Sequence, residues 1–359
     1  MVKFNNFDRQ YQALEDEIDM ALKKVLKSGW YILGKELSSF EKSLASYVGT
    51  KYAVGVASGT DALILSLMCI GLGPGDEVIT SDLTAYPTIT AIQALGAIPI
   101  AVDVDVKTGL IDAQCIEAAI SKKTKVIIPV HLYGQSCEMN QIMAIAEVHK
   151  LEVVEDCAQS IGAQYKGRTT GTFGRLSSFS FYPTKNLGAY GDAGAICTNS
   201  KQDYETLLEL RNYGQTRRYV HERRGLNSRL DEMQAAILNV KLKYLDAGNL
   251  RRVELAKKYL KGLPEKYLLD FKEGSVFHLF PIKVKNRDAF ISFMEKKGIE
   301  TLIHYPYPVS EQAAFGYARL DNPKVDELTK KLVSLPIAPE LEDEEIERVI
   351  EAVRAYGNE

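Results

Sequence analysis

The sequence predicts an α/β fold with a mostly parallel sheet, followed by a smaller α+β region. Strand-like and helix-like apolar runs alternate strictly from 52 to 158, the pattern of successive βαβ units. Glycine is abundant, 26 against 12 prolines, as suits a chain whose strands turn tightly into helices. The length of 359 residues corresponds to two domains at roughly 150 residues each.

Taken in order, Tyr11–Ser28 places Leu14, Ile18, Ala21, Leu22, Val25 and Leu26 at helical spacing, and a second amphipathic run covers Gly34–Val48. YAVGVAS (52–58) reads as a buried strand and DALILSLMCIGL (61–72) as a helix. GDEVITSD (75–82) is a strand, TITAIQALG (88–96) a helix, IPIAVDVD (98–105) a strand and AQCIEAAIS (113–121) a helix. KVIIPVHLYG (125–134) reads as a strand, NQIMAIAEVHKL (140–151) as a helix and EVVEDCA (152–158) as a strand. After Asp192 the alternation stops. SKQDYETLLELRNYG reads as a helix, a basic glycine-containing stretch follows, and a long helix runs from Asp231 to about Leu245. Arg251–Leu260 continues helical across a domain boundary placed near Asn249. Residues 1–248 then form an N-terminal segment and large domain, and 249–359 a small domain. Within the latter, HLFPIKV (278–284) is a strand, and RDAFISFMEKKG (287–298) and EDEEIERVIEAVRAYG (342–357) are helices.

Lys and Arg total 44 against 47 Asp and Glu, a net charge of −3. A dedicated nucleic-acid binder would carry a basic excess. Cys69, Cys115, Cys137, Cys157 and Cys197 are scattered, with no Cys-x-x-Cys pair. That disfavours a disulfide scaffold or structural zinc site and favours a reducing compartment. The first residues turn acidic where a signal peptide would be apolar. The longest weakly charged stretch, Ala53–Gly75, holds Asp61 and several Gly, Ser and Thr, so it makes a poor membrane span. The expectation is a soluble cytoplasmic protein that holds no metal.

Four segments carry chemistry. Ser58-Gly59-Thr60 falls where a buried strand turns into a helix. Helix-start amides favour an anion there and glycine permits close backbone approach, although the triplet alone also fits an ordinary capped turn. It is neither G-x-G-x-x-G nor a Walker loop, which disfavours nicotinamide and ATP. In EVVEDCAQSIGA (152–163) an apolar strand ends in Glu155-Asp156, with Gln159 just beyond. Right-handed crossovers put that end on the ligand edge of the sheet, where a carboxylate either meets a cation or caps a turn. In SSFSFYPTKNLGAYGDAGAICTNS (177–200) the only basic residue, Lys185, follows Phe179, Phe181, Tyr182 and Pro183. Apolar surroundings lower an amine's pKa and make it nucleophilic toward carbonyls, the setting of a Schiff-base lysine. From Arg211 to Arg229 six arginines accompany one acid, Glu222, with Tyr213, Tyr219 and Gly225 between them. This is either a solvated loop or a clamp for a phosphorylated or nucleotide-linked substrate. A phosphate cradle, a carboxylate for a cationic ring nitrogen and a lone apolar-flanked lysine together describe a pyridoxal phosphate site.

The segments are also motifs. SGWYILGKELSSFEKSLASYVGTKYAVGVASGTDAL, PVHLYGQ, VVEDCAQSIGA, SFSFYPTKNLGAYGDAGAI, GLNSRLDEMQAAIL and HYPYP span nearly the whole chain and resemble the DegT/DnrJ/EryC1/StrS sugar aminotransferases. The resemblance implies the fold type I aspartate-aminotransferase architecture. Its large domain carries a mostly parallel seven-stranded sheet, and its C-terminal domain is a smaller α+β unit. It implies pyridoxal 5'-phosphate as cofactor, with Lys185 as the catalytic Schiff-base lysine, Asp156 facing the pyridinium nitrogen and Gln159 on the ring hydroxyl. Gly59, Thr60 and Ser180 would hold the phosphate. Asn227, in the N-x-R motif, would reach the cofactor phosphate of the neighbouring subunit, giving a homodimer with shared active sites. An aromatic residue usually stacks on the ring; in LTAYPTITAI either Ala85 or Tyr86 falls there by spacing, and Tyr86 is taken because alanine cannot stack. Tyr182, Arg229, His304 and Tyr305 are the candidates for substrate contact. Dehydratase relatives carry His in place of the lysine, so Lys185 implies transamination. YPTKNLGAYGDAG, NSRLDE and HYP look like the enzymes that aminate C3 of nucleotide-linked sugars. The implied acceptor is a dTDP-linked 3-keto-6-deoxyhexose and the implied donor L-glutamate. A C4-specific keto-sugar aminotransferase and a UDP-linked keto-uronate aminotransferase keep the same cofactor residues and are the alternatives.

Overall fold

A computed structural model describes residues 1–357. Seven strands form its central sheet: β1 (Tyr52–Val56), β2 (Glu77–Ser81), β3 (Ile98–Val102), β4 (Thr124–Ile128), β5 (Glu152–Asp156), β6 (Leu176–Ser180) and β7 (Gly194–Thr198). Their order is β1-β7-β6-β5-β4-β2-β3. β3, β2, β4, β5 and β6 pair in parallel, and β7 runs antiparallel to both its neighbours. Both faces are covered, so the strands are apolar on both sides, as parallel sheets require. On β7, for example, Ile196 packs with Val54, Leu65, Ile127 and Val154, whereas Ala195 and Cys197 join Phe40, Leu44, Phe179 and Leu238 on the opposite face.

The alternation places β1 to β5 correctly, with two differences. The run 125–134 is not one strand: β4 stops at Ile128, because Pro129 has no N–H for the ladder. Leu132–Gly134 is instead a 3₁₀ turn. β6 and β7, the strands that flank Lys185, carry too little apolar periodicity to be read from the sequence. Ser177 and Ser178 on β6 are buried, satisfied by the Gly171 carbonyl (2.8 Å) and Ser66 Oγ (3.1 Å).

In the C-terminal region β8 (Phe280–Lys283) pairs antiparallel with β9 (Leu332–Leu335). Helices Arg287–Lys296 and Asp343–Tyr356 share with them a core that includes Tyr259, Phe280, Phe290, Val333, Ile346 and Val349. Helix Leu245–Gly262 runs through the boundary expected at Asn249: Leu245 packs in the large-domain core, Leu255 and Tyr259 in the small one. Val2 also joins the small core and bridges Ile299 in parallel.

The stretch 309–328 returns to the large domain, where Val325 and Leu328 are buried in its core. Two carboxylates at the sheet's edge hold it. Asp82, just past β2, accepts from the Ser310 amide (2.9 Å), Ser310 Oγ (2.7 Å) and Asn322 Nδ2 (2.7 Å). Asp103, just past β3, accepts from the amides of Lys324 (3.1 Å) and Val325 (2.9 Å). Together they fix the chain directly after His304–Tyr305. No helix among the described residues is long and apolar enough to cross a membrane.

Candidate active site

β5 and β6 pair in parallel, so Asp156 and Ser180 end on the same edge of the sheet. Asp156 is 5% exposed. Its Oδ2 accepts from Thr88 Oγ1 (2.9 Å) and its Oδ1 from the Ala158 amide (3.1 Å). Burial pushes its pKa up, and the Ala158 amide, the Thr88 hydroxyl and the Lys185 ammonium pull the other way. Its neighbour Glu155 points to the opposite face, as successive strand residues must. Glu155 accepts the amides of Gly171 (2.8 Å), Phe173 (2.7 Å) and Gly174 (2.8 Å) and faces His131 Nε2 at 3.0 Å. His131 Nδ1 accepts the Cys137 amide (3.1 Å). His131, Glu155 and Cys157 bring their donor atoms within 4.8 Å of one another, but His131 and Glu155 are already committed to protein partners. The cluster therefore works as a buried knot that fixes the end of β5.

Lys185 lies in the turn after β6, its amide donating to the Tyr182 carbonyl (2.8 Å). Burial pulls its pKa down to about 8, against the opposing influence of Asp156. The turn is held from both domains. Asn186 Nδ2 donates to Asn249 Oδ1 (2.8 Å) and the Val276 carbonyl (3.1 Å), and its Oδ1 faces His278 Nδ1 (3.1 Å). A Cβ on Gly188 would come 2.3 Å from the Pro183 carbonyl oxygen, so the turn closes only with glycine there. Burial, then the Lys185 charge, lowers the pKa of both nearby histidines, His304 to about 4 and His278 well below the usual range.

Gly59 and Thr60 open helix Gly59–Ile70, and Ser58 caps it by accepting the Asp61 amide (3.1 Å). A Cβ on Gly59 would lie 2.5 Å from Ser180 Cβ, so only glycine leaves the Ser180 hydroxyl beside the helix start. Ser228 Oγ donates to Asp61 Oδ2 (2.6 Å) and accepts the Ala57 amide (3.1 Å), which ties the N-x-R segment to this loop. Asn227 itself is exposed. Gln159 Oε1 accepts the Tyr133 amide (2.7 Å), and Gln159 Nε2 donates to Tyr305 Oη (3.1 Å). His304 Nδ1 faces Ser334 Oγ at 3.0 Å.

The structure thus gathers Gly59, Thr60, Asp156, Gln159, Ser180, Lys185, His304 and Tyr305 at one edge. Tyr182 stands 52% exposed beside them. Tyr86 is a correction. Its ring packs with Ile89, Ala101, Val309 and Phe315, away from this group. The cause is helical spacing: Tyr86 shares a face with Ile89, whereas Ala85 lies one turn before Thr88, which touches Asp156. Arg229 is also held apart, donating to Asn212 Oδ1 (3.0 Å) and lying over the Tyr213 ring. Thr88, Tyr133, Asn186 and His278 complete the site and had no sequence signal of their own, except that Tyr133 lies in PVHLYGQ and Asn186 follows Lys185.

Residues 12–354 match the DegT/DnrJ/EryC1/StrS aminotransferase family. The chain belongs to this family. It is 46% identical to a dTDP-3-amino-3,6-dideoxy-alpha-D-galactopyranose transaminase of Aneurinibacillus thermoaerophilus, over 99% of this chain and 100% of the relative. It is similar to the solved structure of Streptomyces venezuelae DesV in complex with a ketimine intermediate. The TM-score is 0.97 at 42% identity, covering 100% of this chain and 99% of that one. Bacillus subtilis NtdA with bound cofactor PMP is similar at TM-score 0.94 and 34% identity, over 100% of this chain and 85% of that one. The protein is accordingly a pyridoxal-phosphate-dependent sugar aminotransferase with the aspartate-aminotransferase fold. Its own residues fit that cofactor: a depressed amine, a buried carboxylate short of a cation, and a helix start that tolerates no side chain beside a serine hydroxyl.

Proposed function

We propose that the protein transfers the amino group of L-glutamate to C3 of a dTDP-linked 3-keto-6-deoxyhexose, and that it does so as a cytoplasmic homodimer with shared active sites. The observation that carries the substrate class is the 46% identity, along the whole chain, to a transaminase named for a dTDP-3-amino-3,6-dideoxy sugar.

Pyridoxal phosphate, when bound, supplies the electron sink that makes the donor's α-proton labile. Lys185 Nζ would hold the cofactor at its aldehyde carbon and, once the donor's amino group has displaced it, would accept and return that proton as a free amine. A pKa of about 8 suits both directions near neutral pH. Asp156, oriented by Thr88 and Ala158, offers its carboxylate to the cationic ring nitrogen. Gln159 offers Nε2 to the ring hydroxyl. The helix-start amides of Gly59 and Thr60, with the Ser180 hydroxyl, receive the phosphate. Asn227, exposed on its own chain, reaches the phosphate held by the partner copy. Tyr182, His304 and Tyr305 form the substrate side.

The test is amination of 3-keto and 4-keto dTDP-hexoses and of a UDP-linked keto-uronate with glutamate, with the product examined by NMR. Nitrogen on C3 of the dTDP sugar is the expected result. Exclusive amination at C4, or of the uronate alone, overturns the substrate reading.

A further inference from the structure

Tyr133 has no role in the chemistry above, yet it touches both sides of the site. It sits in the Leu132–Gly134 turn with a left-handed backbone, φ 63°, which a bulky side chain rarely adopts. That conformation aims its amide at Gln159 Oε1 (2.7 Å) while its fully buried hydroxyl donates to the His304 carbonyl (2.6 Å). Because Oε1 is occupied by an N–H, the Gln159 amide is locked with Nε2 outward, where it meets Tyr305 Oη (3.1 Å). The contacts close a ring: Tyr133 amide, Gln159, Tyr305, the peptide before it, and the Tyr133 hydroxyl. The next residue fixes the turn against the small domain. Gly134 has φ 88°, and a Cβ there would come 2.7 Å from the His278 amide nitrogen.

We propose that Tyr133 is a positioning residue that couples the two halves of the site: its backbone orients Gln159 toward the cofactor, and its hydroxyl sets the His304–Tyr305 loop toward the sugar. This rests on the substrate-side role proposed for that loop. The two ends are chemically separable, because Tyr133→Phe deletes the hydroxyl and keeps the amide.

The test is Tyr133→Phe in the holoenzyme. Cofactor retention stays at the wild-type level, because the Gln159 contact survives. The KM for the keto sugar rises about tenfold, the scale of one lost hydrogen bond, with kcat changed less than about twofold. The His304 ring, followed by histidine NMR and assigned by its loss in His304→Gln, reports the loop without any substrate. In the wild type burial holds its pKa below the ordinary value. In Tyr133→Phe water reaches it and its midpoint moves toward the ordinary value of about 6.5. Hydrogen exchange rises only across 302–308. An unmoved His304 midpoint overturns the coupling. A moved midpoint with unchanged KM overturns the substrate-side role of the loop instead. A rise in exchange across both domains makes Tyr133 a core residue only and overturns the proposal.

Discussion

The floor of the site and the basic hairpin of residues 215–221 are built on opposite principles. On the floor, the groups beneath the cofactor residues are held from several sides: Asp156 by two donors, Glu155 by three amides and His131, Asn186 by residues of the 249–278 region. The hairpin pairs Gln215–Arg217 with Val220–His221 and leaves Tyr219 79% exposed. The six arginines of that stretch divide. Arg211 is buried against Glu41 and the Gly55 carbonyl (3.0 Å), Arg223 pairs with Glu209, and Arg229 with Asn212. Arg217, Arg218 and Arg224 are exposed and meet no carboxylate among the described residues. A buried polar group must be satisfied by its own chain or the fold pays the desolvation penalty, whereas an exposed cation loses nothing by waiting for a ligand. The floor is therefore held in place before anything binds, and the hairpin is not.

That contrast is tested first where it is strongest. Lys185→Ala removes nucleophile and proton carrier together, and steady-state amination falls by about 10⁴-fold or more. Turnover within tenfold of wild type would break the assignment of the floor. Asp156→Asn keeps the shape and the Thr88 contact but removes the anion; kcat falls by about 10²- to 10³-fold while the melting midpoint stays close to wild type. Next comes an arginine that belongs to the fold despite its place in the basic stretch. Arg211→Ala leaves Glu41 half of a broken buried pair and lowers unfolding free energy by about 3 kcal/mol in urea. A neutral result would put Arg211 with the free hairpin cations.

The pH dependence sharpens the floor further. Lys185 must lose its proton to attack a carbonyl, and burial places that loss at about 8. Covalent reaction of the apo-protein with pyridoxal phosphate, followed by absorbance, thus accelerates with pH up to about 8 and levels above it. An acceleration continuing to about 10.4 would describe an ordinary surface lysine. The smallest effect belongs to the hairpin. Arg217→Ala combined with Arg218→Ala leaves the melting midpoint unchanged and raises the KM for the nucleotide sugar about threefold at low salt, a difference that shrinks as salt screens it.

The contrast also explains what could be read from the sequence. β1 to β5 were legible because buried parallel strands are apolar runs bounded by glycine and charged turns. β6 was not, because its buried serines replace apolar contacts with hydrogen bonds. Lys185 stood out as the one basic residue of an apolar segment, and Asp156 as one of two carboxylates that end an apolar strand. Tyr86 did not follow, because which side of a helix start a residue faces is set by where Thr88 must reach. Six arginines within 19 residues looked like one feature; their partners separate them, Glu41 far away in sequence and Glu209 just ahead of the stretch. His278 and Tyr133 act through contacts between domains, which leave no local pattern.

The bridge between Val2 and Ile299 sets an order of events for the growing chain. The large domain's β1 to β7 are complete by Thr198, although Val325 and Leu328 join its core only later. The small core instead brings Val2 together with residues from Leu255 to Val353. Such contacts form slowly and late. Val2 therefore stays without its bridge partner until Ile299 has been made. Bulk added beside Val2 therefore burdens the late closing of the small core and leaves the central sheet untouched.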